Sequence, residues 1–234
     1  MKGYRFPMDF LDPVFLLAAL LALTIHECAH AYAAYKLGDH TAKVSGRLTL
    51  NPIAHLDPLG TLMFFAVGFG WGKPVPVNPY YFKHPTRDNA LTAFAGPLSN
   101  LLLAFVAYLI MAAGVRYTNM IGDPFSYLGD ADAPRNALDV LARFLEATVF
   151  VNVGLCAFNL LPVAPLDGSK VLQAFIPPHY EDEYERFMSY GPYILLGLIV
   201  LGRMGSFDPL TLWIWTIMGW VFHAFTAIGG IFGF

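Results

Sequence analysis

Residues 13–35 read PVFLLAALLALTIHECAHAYAAY, and Lys36 closes the run. From Phe15 to Ile25 the only polar side chain is Thr24. A helix rises 1.5 Å per residue, so this run reaches about 35 Å, more than a hydrocarbon core of about 30 Å. It is too long for a secretory signal and lacks a small-residue cleavage site, so it reads as a spanning helix. Yet its second half carries His26, Glu27 and His30 within five residues. Ionisable groups at membrane depth are costly unless they face a cavity, a partner or a metal.

The rest of the chain agrees with a membrane setting. Of 234 residues 56% are hydrophobic and 13% charged, with mean hydropathy +0.52. Soluble domains are nearer about 45–50% apolar and about 25% charged. Intrinsic disorder needs the opposite composition, and a net charge of −3 offers no footprint for nucleic acid. Two cysteines cannot build a disulfide framework. Five further apolar stretches follow: Leu59–Phe69, Leu91–Val115 with a kink expected at Gly96-Pro97, Leu138–Leu161, Tyr193–Leu201 and Leu210–Phe234. The expected fold is an all-α polytopic membrane protein with about six hydrophobic segments. Residues 42–58 alternate polar with β-branched or apolar residues and then turn at Asn51-Pro52 and Asp57-Pro58, and 70–82 are rich in Gly and Pro with Val interleaved, which predicts short strand-like or re-entrant elements near residues 42–82. Open strand edges cannot face lipid, so these belong at the interface or along a protein cavity. Residues 177–190, with EDEYER, read as a solvated acidic surface, and Trp213, Trp215 and Trp220 as an interface belt.

His26-Glu27-Cys28-Ala29-His30 is an H-E-x-x-H pattern. On a helix its histidines, at i and i+4, share a face and can hold one zinc, while Glu27 stands beside the metal as a general base. With 7 His and 5 Glu, chance gives this pattern in roughly one chain of a few hundred. His26 lies about 15 Å along the helix from Lys36, near the membrane centre. Catalytic zinc takes a third protein ligand and keeps one position open. An Asp, Glu or His at similar depth would serve. Asn159–Gly168 reads NLLPVAPLDG, interrupted by Pro162, Pro165 and Gly168. One broken span over 147–176 puts Asp167 about 14 Å from its far end, the depth of His26. Broken helices at that depth tend to mark binding sites. An Asp-Gly turn at the interface is the competing reading of Asp167.

These residues resemble the site-2 proteases, intramembrane zinc metalloproteases, through two hallmarks in order: His26–His30 and the N-x-x-P-x-x-x-L-D-G pattern of Asn159–Gly168. Gly96-Pro97-Leu98-Ser99-Asn100 and Asn51–Pro58 are similar to further elements of its compact prokaryotic members. Ala164 departs from the proline of close relatives. The resemblance spans about residues 15–176 and leaves no stretch long enough for a PDZ or CBS domain. It implies one Zn2+ per chain held by His26, His30 and Asp167, with Glu27 as general base and Asn159 helping to stabilise the oxyanion. The implied arrangement is a single protease domain over 1–234, with its catalytic core over about 13–176 and extra membrane segments over 190–234. The implied substrates are membrane proteins or peptides cut within or near transmembrane segments in a lipid bilayer, in a prokaryotic cell membrane.

Other readings fit less well. A membrane prenyl-protein protease needs a glutamate as third ligand, and Glu146 and Glu181–Glu185 are outside the apolar centres. A transporter would spread acidic and His residues along a path, with internal repeats. Cys28 lies about 200° round the helix from His26, facing away. His223 is expected to pack against a backbone carbonyl, His55 and Asp57 to shape a turn, and Asn100 to bond between helices.

Overall fold

A computed structural model describes residues 11–68, 70–118, 137–204 and 208–231. Phe69 and 232–234, the ends of two predicted stretches, lie outside the described residues. Helix α1 spans Pro13–Leu37. The Asp12 carboxylate accepts from Val14 N–H at 2.7 Å and Pro13 takes the first helical position, where a missing N–H costs nothing. Gly38 ends the helix at φ 110°, a left-handed conformation that side-chain-bearing residues rarely adopt.

After a single turn, α2 (Thr41–Val44), comes α3 (Pro58–Val67), capped by Asp57, whose carboxylate accepts from Gly60 N–H at 2.7 Å. Ten residues of helix make about 15 Å, half a bilayer core. Its end folds back on itself: a Cβ on Gly60 would collide with the Trp71 carbonyl, and one on Gly70 with Gly60. Residues 42–58 do not form the expected strand. Asn51 and Asp57 accept from backbone N–H groups that follow them, and the prolines after them start helical turns at Pro52–Ala54 and Pro58–Val67. Among the described residues the only trace of sheet is one antiparallel bridge, Leu56 to Gly72. Lys73 N–H donates to His55 O at 2.8 Å and the Arg47 guanidinium donates to Lys73 O. The segment 73–78 is therefore tied down without a ladder.

Helices α4 (Pro85–Thr118), α5 (Ala137–Asn159) and α1 pack mutually, and α9 (Pro209–Ile231) lies against α4 and α5. Ala104, Ala107, Tyr108 and Met111 of α4 meet Val149, Phe150 and Val153 of α5 and Met218 and Phe225 of α9 in one buried core. On the opposite face of α4, Leu91, Phe94, Leu98, Leu102, Val106 and Ile110 recur every three or four residues and are exposed. A stripe of that length is untenable in water and natural against lipid. α4 runs unbroken through Pro97.

Beyond α5 the chain turns through 160–166 into α6 (Asp167–Gln173), then α7 (Glu181–Met188) and α8 (Gly191–Met204). Gly168 lets α6 close on the turn that follows α5: a Cβ there would lie 2.5 Å from Leu161 O and nearer to Leu160 O. EDEYER forms helix α7 with no buried residue, the solvated acidic surface expected. Among the described residues four helices are long and apolar enough to cross a membrane, Pro13–Leu37, Pro85–Gly114, Ala137–Asn159 and Pro209–Gly230, and a fifth crossing arises if Pro178–Met188 and Gly191–Met204, bent by 52°, act as one. The all-α polytopic expectation holds among the described residues, and of the hydrophobic segments the second makes only the short α3. The tryptophans also divide. Trp213 donates to Ala157 O at 2.9 Å and Trp215 packs on Phe150, leaving Trp220 exposed.

Candidate metal centre

His26 and His30 sit one turn apart on α1, both buried, their rings nearly perpendicular at 88°. Their Nε2 atoms converge at 2.9 Å. The break after α5 swings Asp167, first residue of α6, against them: its Oδ2 lies 3.2 Å from His26 Nε2 and 3.3 Å from His30 Nε2. The three residues expected to bind metal are thus brought together from helices some 140 residues apart. Asp167 thus lies beside His26 and His30, not apart from them.

The protons on this triangle are settled by its neighbours. His30 Nδ1 donates to Thr92 O at 2.8 Å, and His26 Nδ1 lies 2.6 Å from Asn100 Oδ1. Asn100 Nδ2 donates to Ala22 O and to Asn152 Oδ1, so the Asn100 oxygen must face His26 and His26 Nδ1 must carry the proton. In the neutral imidazoles both Nε2 atoms are then lone-pair donors, facing each other and a carboxylate oxygen with no hydrogen-bond partner. Three such atoms in contact repel one another. One added proton bridges a single edge, whereas a divalent cation engages all three. Ligand atoms on one tetrahedral zinc at about 2.0–2.1 Å stand about 3.3 Å apart; the two edges to the carboxylate, 3.2 and 3.3 Å, match this, and the edge between the imidazoles, 2.9 Å, is shorter. The residues fit zinc, with a fourth position open.

α4 supplies the floor. Thr92, Gly96 and Asn100 recur every four residues and so share one face, toward α1. A Cβ on Gly96 would lie 2.6 Å from His26 Cε1 and closer to His30 Nε2, so only glycine leaves room for the ligand pair. A cavity of about 550 Å³ opens from this triangle. Glu27, Asn159 and Lys170 reach its wall, among Leu23, Trp71, Val75, Val77, Phe158 and Leu195. Asn159 donates one amide N–H to Leu155 O at 3.0 Å within its own helix. α8, from the C-terminal segments expected to stand outside the catalytic core, contributes Leu195 and Ile199 to the wall.

The remaining candidates fall elsewhere. Cys28 is half-buried outside the cavity lining. His223 is exposed on α9 rather than packed inward. His55 is fully buried and its Nε2 lies 2.9 Å from Thr49 O, so with Asp57 it shapes the turn as expected. Asn100 does bond between helices, but its contact with His26, Gly96 as the floor, and Asn152 escaped the sequence reading. A polar Asn152 in an apolar helix was the available signal.

Comparison with known proteins gives the family and its named relatives. The model for "Peptidase family M50" matches residues 14–201. A Bacillus subtilis protein named "Putative zinc metalloprotease YwhC" is 39% identical over 202 residues, 86% of each chain. "Putative zinc metalloprotease Rip2" of Mycobacterium tuberculosis is 30% identical over 220 residues, 91% of this chain and 76% of its own. "Putative zinc metalloprotease MJ0611" of Methanocaldococcus jannaschii is 28% identical over 162 residues, 68% of each. No solved structure matches.

Proposed function

This chain belongs to peptidase family M50, the site-2 protease family of zinc metalloproteases, and from that premise we propose that it cuts peptide bonds within or near transmembrane segments of membrane proteins. It is a metalloendopeptidase and a multi-pass membrane protein. In this reading one zinc per chain is held by His26, His30 and Asp167. The observation that carries it is the buried triangle of three converging ligand atoms on two sequence-distant helices.

When bound, zinc acts as a Lewis acid toward a carbonyl and lowers the pKa of a water from about 15.7 to about 7. Glu27, next in sequence to His26 and on the cavity wall, takes a proton from the attacking water and passes it to the leaving amine. Asn159 turns its amide from Leu155 O toward the developing oxyanion. The apolar wall suits an apolar substrate segment and keeps bulk water from the reaction.

A transmembrane helix hides its peptide bonds in its own hydrogen bonds, so the substrate must be drawn out before it is cut. The segment 73–78 has the features for holding such an extended strand. Lys73, Val75 and Asn78 each precede a proline, which keeps them extended. Pro74 and Pro76 have no N–H, so one edge lacks donors. Val75 and Val77, on the other edge and on the cavity wall, make no backbone hydrogen bond among the described residues. Strand addition needs N–H and C=O groups on alternate residues, as these two offer.

The test is Glu27→Gln in the full chain with a membrane-protein substrate. Zinc content is expected to stay at one per chain while cleavage falls to background. Cleavage at the wild-type rate would refute Glu27 as the base.

A further inference from the structure

Asn100 and Asn152 are both fully buried. Their bonds form a closed set across three helices. Asn100, on α4, takes the His26 Nδ1 proton on Oδ1 at 2.6 Å and donates from Nδ2 to Ala22 O of α1 at 3.2 Å and to Asn152 Oδ1 of α5 at 2.7 Å. Asn152 in turn donates from Nδ2 to Thr148 O at 2.8 Å. Reversing the Asn100 amide would turn N–H toward the His26 Nδ1 proton and oxygen toward two other oxygens. The set therefore has one arrangement, and that arrangement dictates which nitrogen of His26 is free.

We propose that Asn100 is a positioning residue for the metal centre, fixing the tautomer and ring orientation of His26, and that Asn152 holds Asn100 in the one orientation that does so. The proposal rests on His26 being a zinc ligand. The contrast with His30 is informative. There the same task falls to Thr92 O, a backbone carbonyl that cannot turn over. A side-chain amide can, so it needs a second amide to hold it. Ligating histidines generally place their other N–H on a carboxylate or carbonyl, and losing that partner weakens metal binding by about 10–100-fold.

The experiment measures zinc affinity of the full chain in detergent by competition with a chromophoric chelator, with thermal unfolding of the metal-free protein as the fold control. Asn100→Leu keeps the volume and removes the acceptor. Asn100→Asp keeps an acceptor for His26 Nδ1–H. The expected result is zinc binding about 10–100-fold weaker for Asn100→Leu, with a shifted visible spectrum of the cobalt-substituted protein, and a clearly smaller change in both for Asn100→Asp, whose second oxygen meets Ala22 O and Asn152 Oδ1 in place of the amide N–H. Asn152→Leu should weaken zinc by less than Asn100→Leu, and Asn152→Asp, which still accepts from Asn100, should restore it. Equal weakening by Asp and Leu, or wild-type affinity in a folded Asn100→Leu, would overturn the proposal. If Asn100→Leu does not fold, the Asn152 pair decides on the same terms. A wild-type chain that binds no zinc, or a His26→Ala chain that binds it normally, would instead defeat the assignment of His26 itself.

Discussion

α4 and α5 meet at two levels built from opposite chemistries. At one, Asn100 and Asn152 join two fully buried amides, with His26 and Ala22 of α1 completing the set. At the other, Ala107, Tyr108 and Met111 pack on Val149, Phe150 and Val153 with no polar bond required. Apolar packing tolerates many combinations of side chains that fill the same volume. A buried polar set does not, since each unmet donor or acceptor costs about 1–3 kcal/mol. The apolar level holds the helices together, and the polar level sets where a histidine ring points.

If that division is right, substitutions at the two levels should fail in different ways. The largest effect on activity is expected from Asp167→Ala, which removes one of three converging ligand atoms. Metal analysis should find no stoichiometric zinc and a protease assay no cleavage, while the metal-free protein unfolds near the wild-type temperature. Next comes Gly96→Ala, whose methyl would press on both histidines. Overpacking costs about 1–3 kcal/mol, and at about 1.4 kcal/mol per tenfold zinc affinity should fall by about 10–100-fold. Gly219→Ala on α9 is the control: a Cβ there meets nothing within 4 Å, and zinc affinity and activity should not change. Met111→Ala tests the apolar level. Truncating a buried Met costs about 2–5 kcal/mol of stability, seen as a lower unfolding temperature, with zinc affinity of the folded fraction unchanged. Loss of zinc from Met111→Ala, or its retention in Gly96→Ala, would break the distinction.

The parts of the site that were legible in the sequence are those in which side-chain identity and local periodicity carry the information. His26 and His30 share a face because a helix repeats every 3.6 residues, and Asp167 reached the same depth by counting residues from a span's end. The α4 contribution was harder to read. Thr92 acts through its backbone carbonyl, which every residue has, and Gly96 acts by having no side chain. Asn100 was visible as an interhelical polar group, but its partner depends on how α1 and α4 face each other, which no local pattern encodes. The strand reading of 42–58 failed for a related reason. Alternation suits a strand only when a partner supplies a ladder, and here Asn51-Pro52 and Asp57-Pro58 start helical turns instead.

X-ray absorption at the zinc edge of the loaded full-length chain tests the central claim most directly. It should show one metal per chain with two imidazoles and oxygen neighbours, all at about 2.0–2.2 Å. Sulfur at about 2.3 Å, a single imidazole, or zinc bound equally well after Asp167→Ala would contradict it.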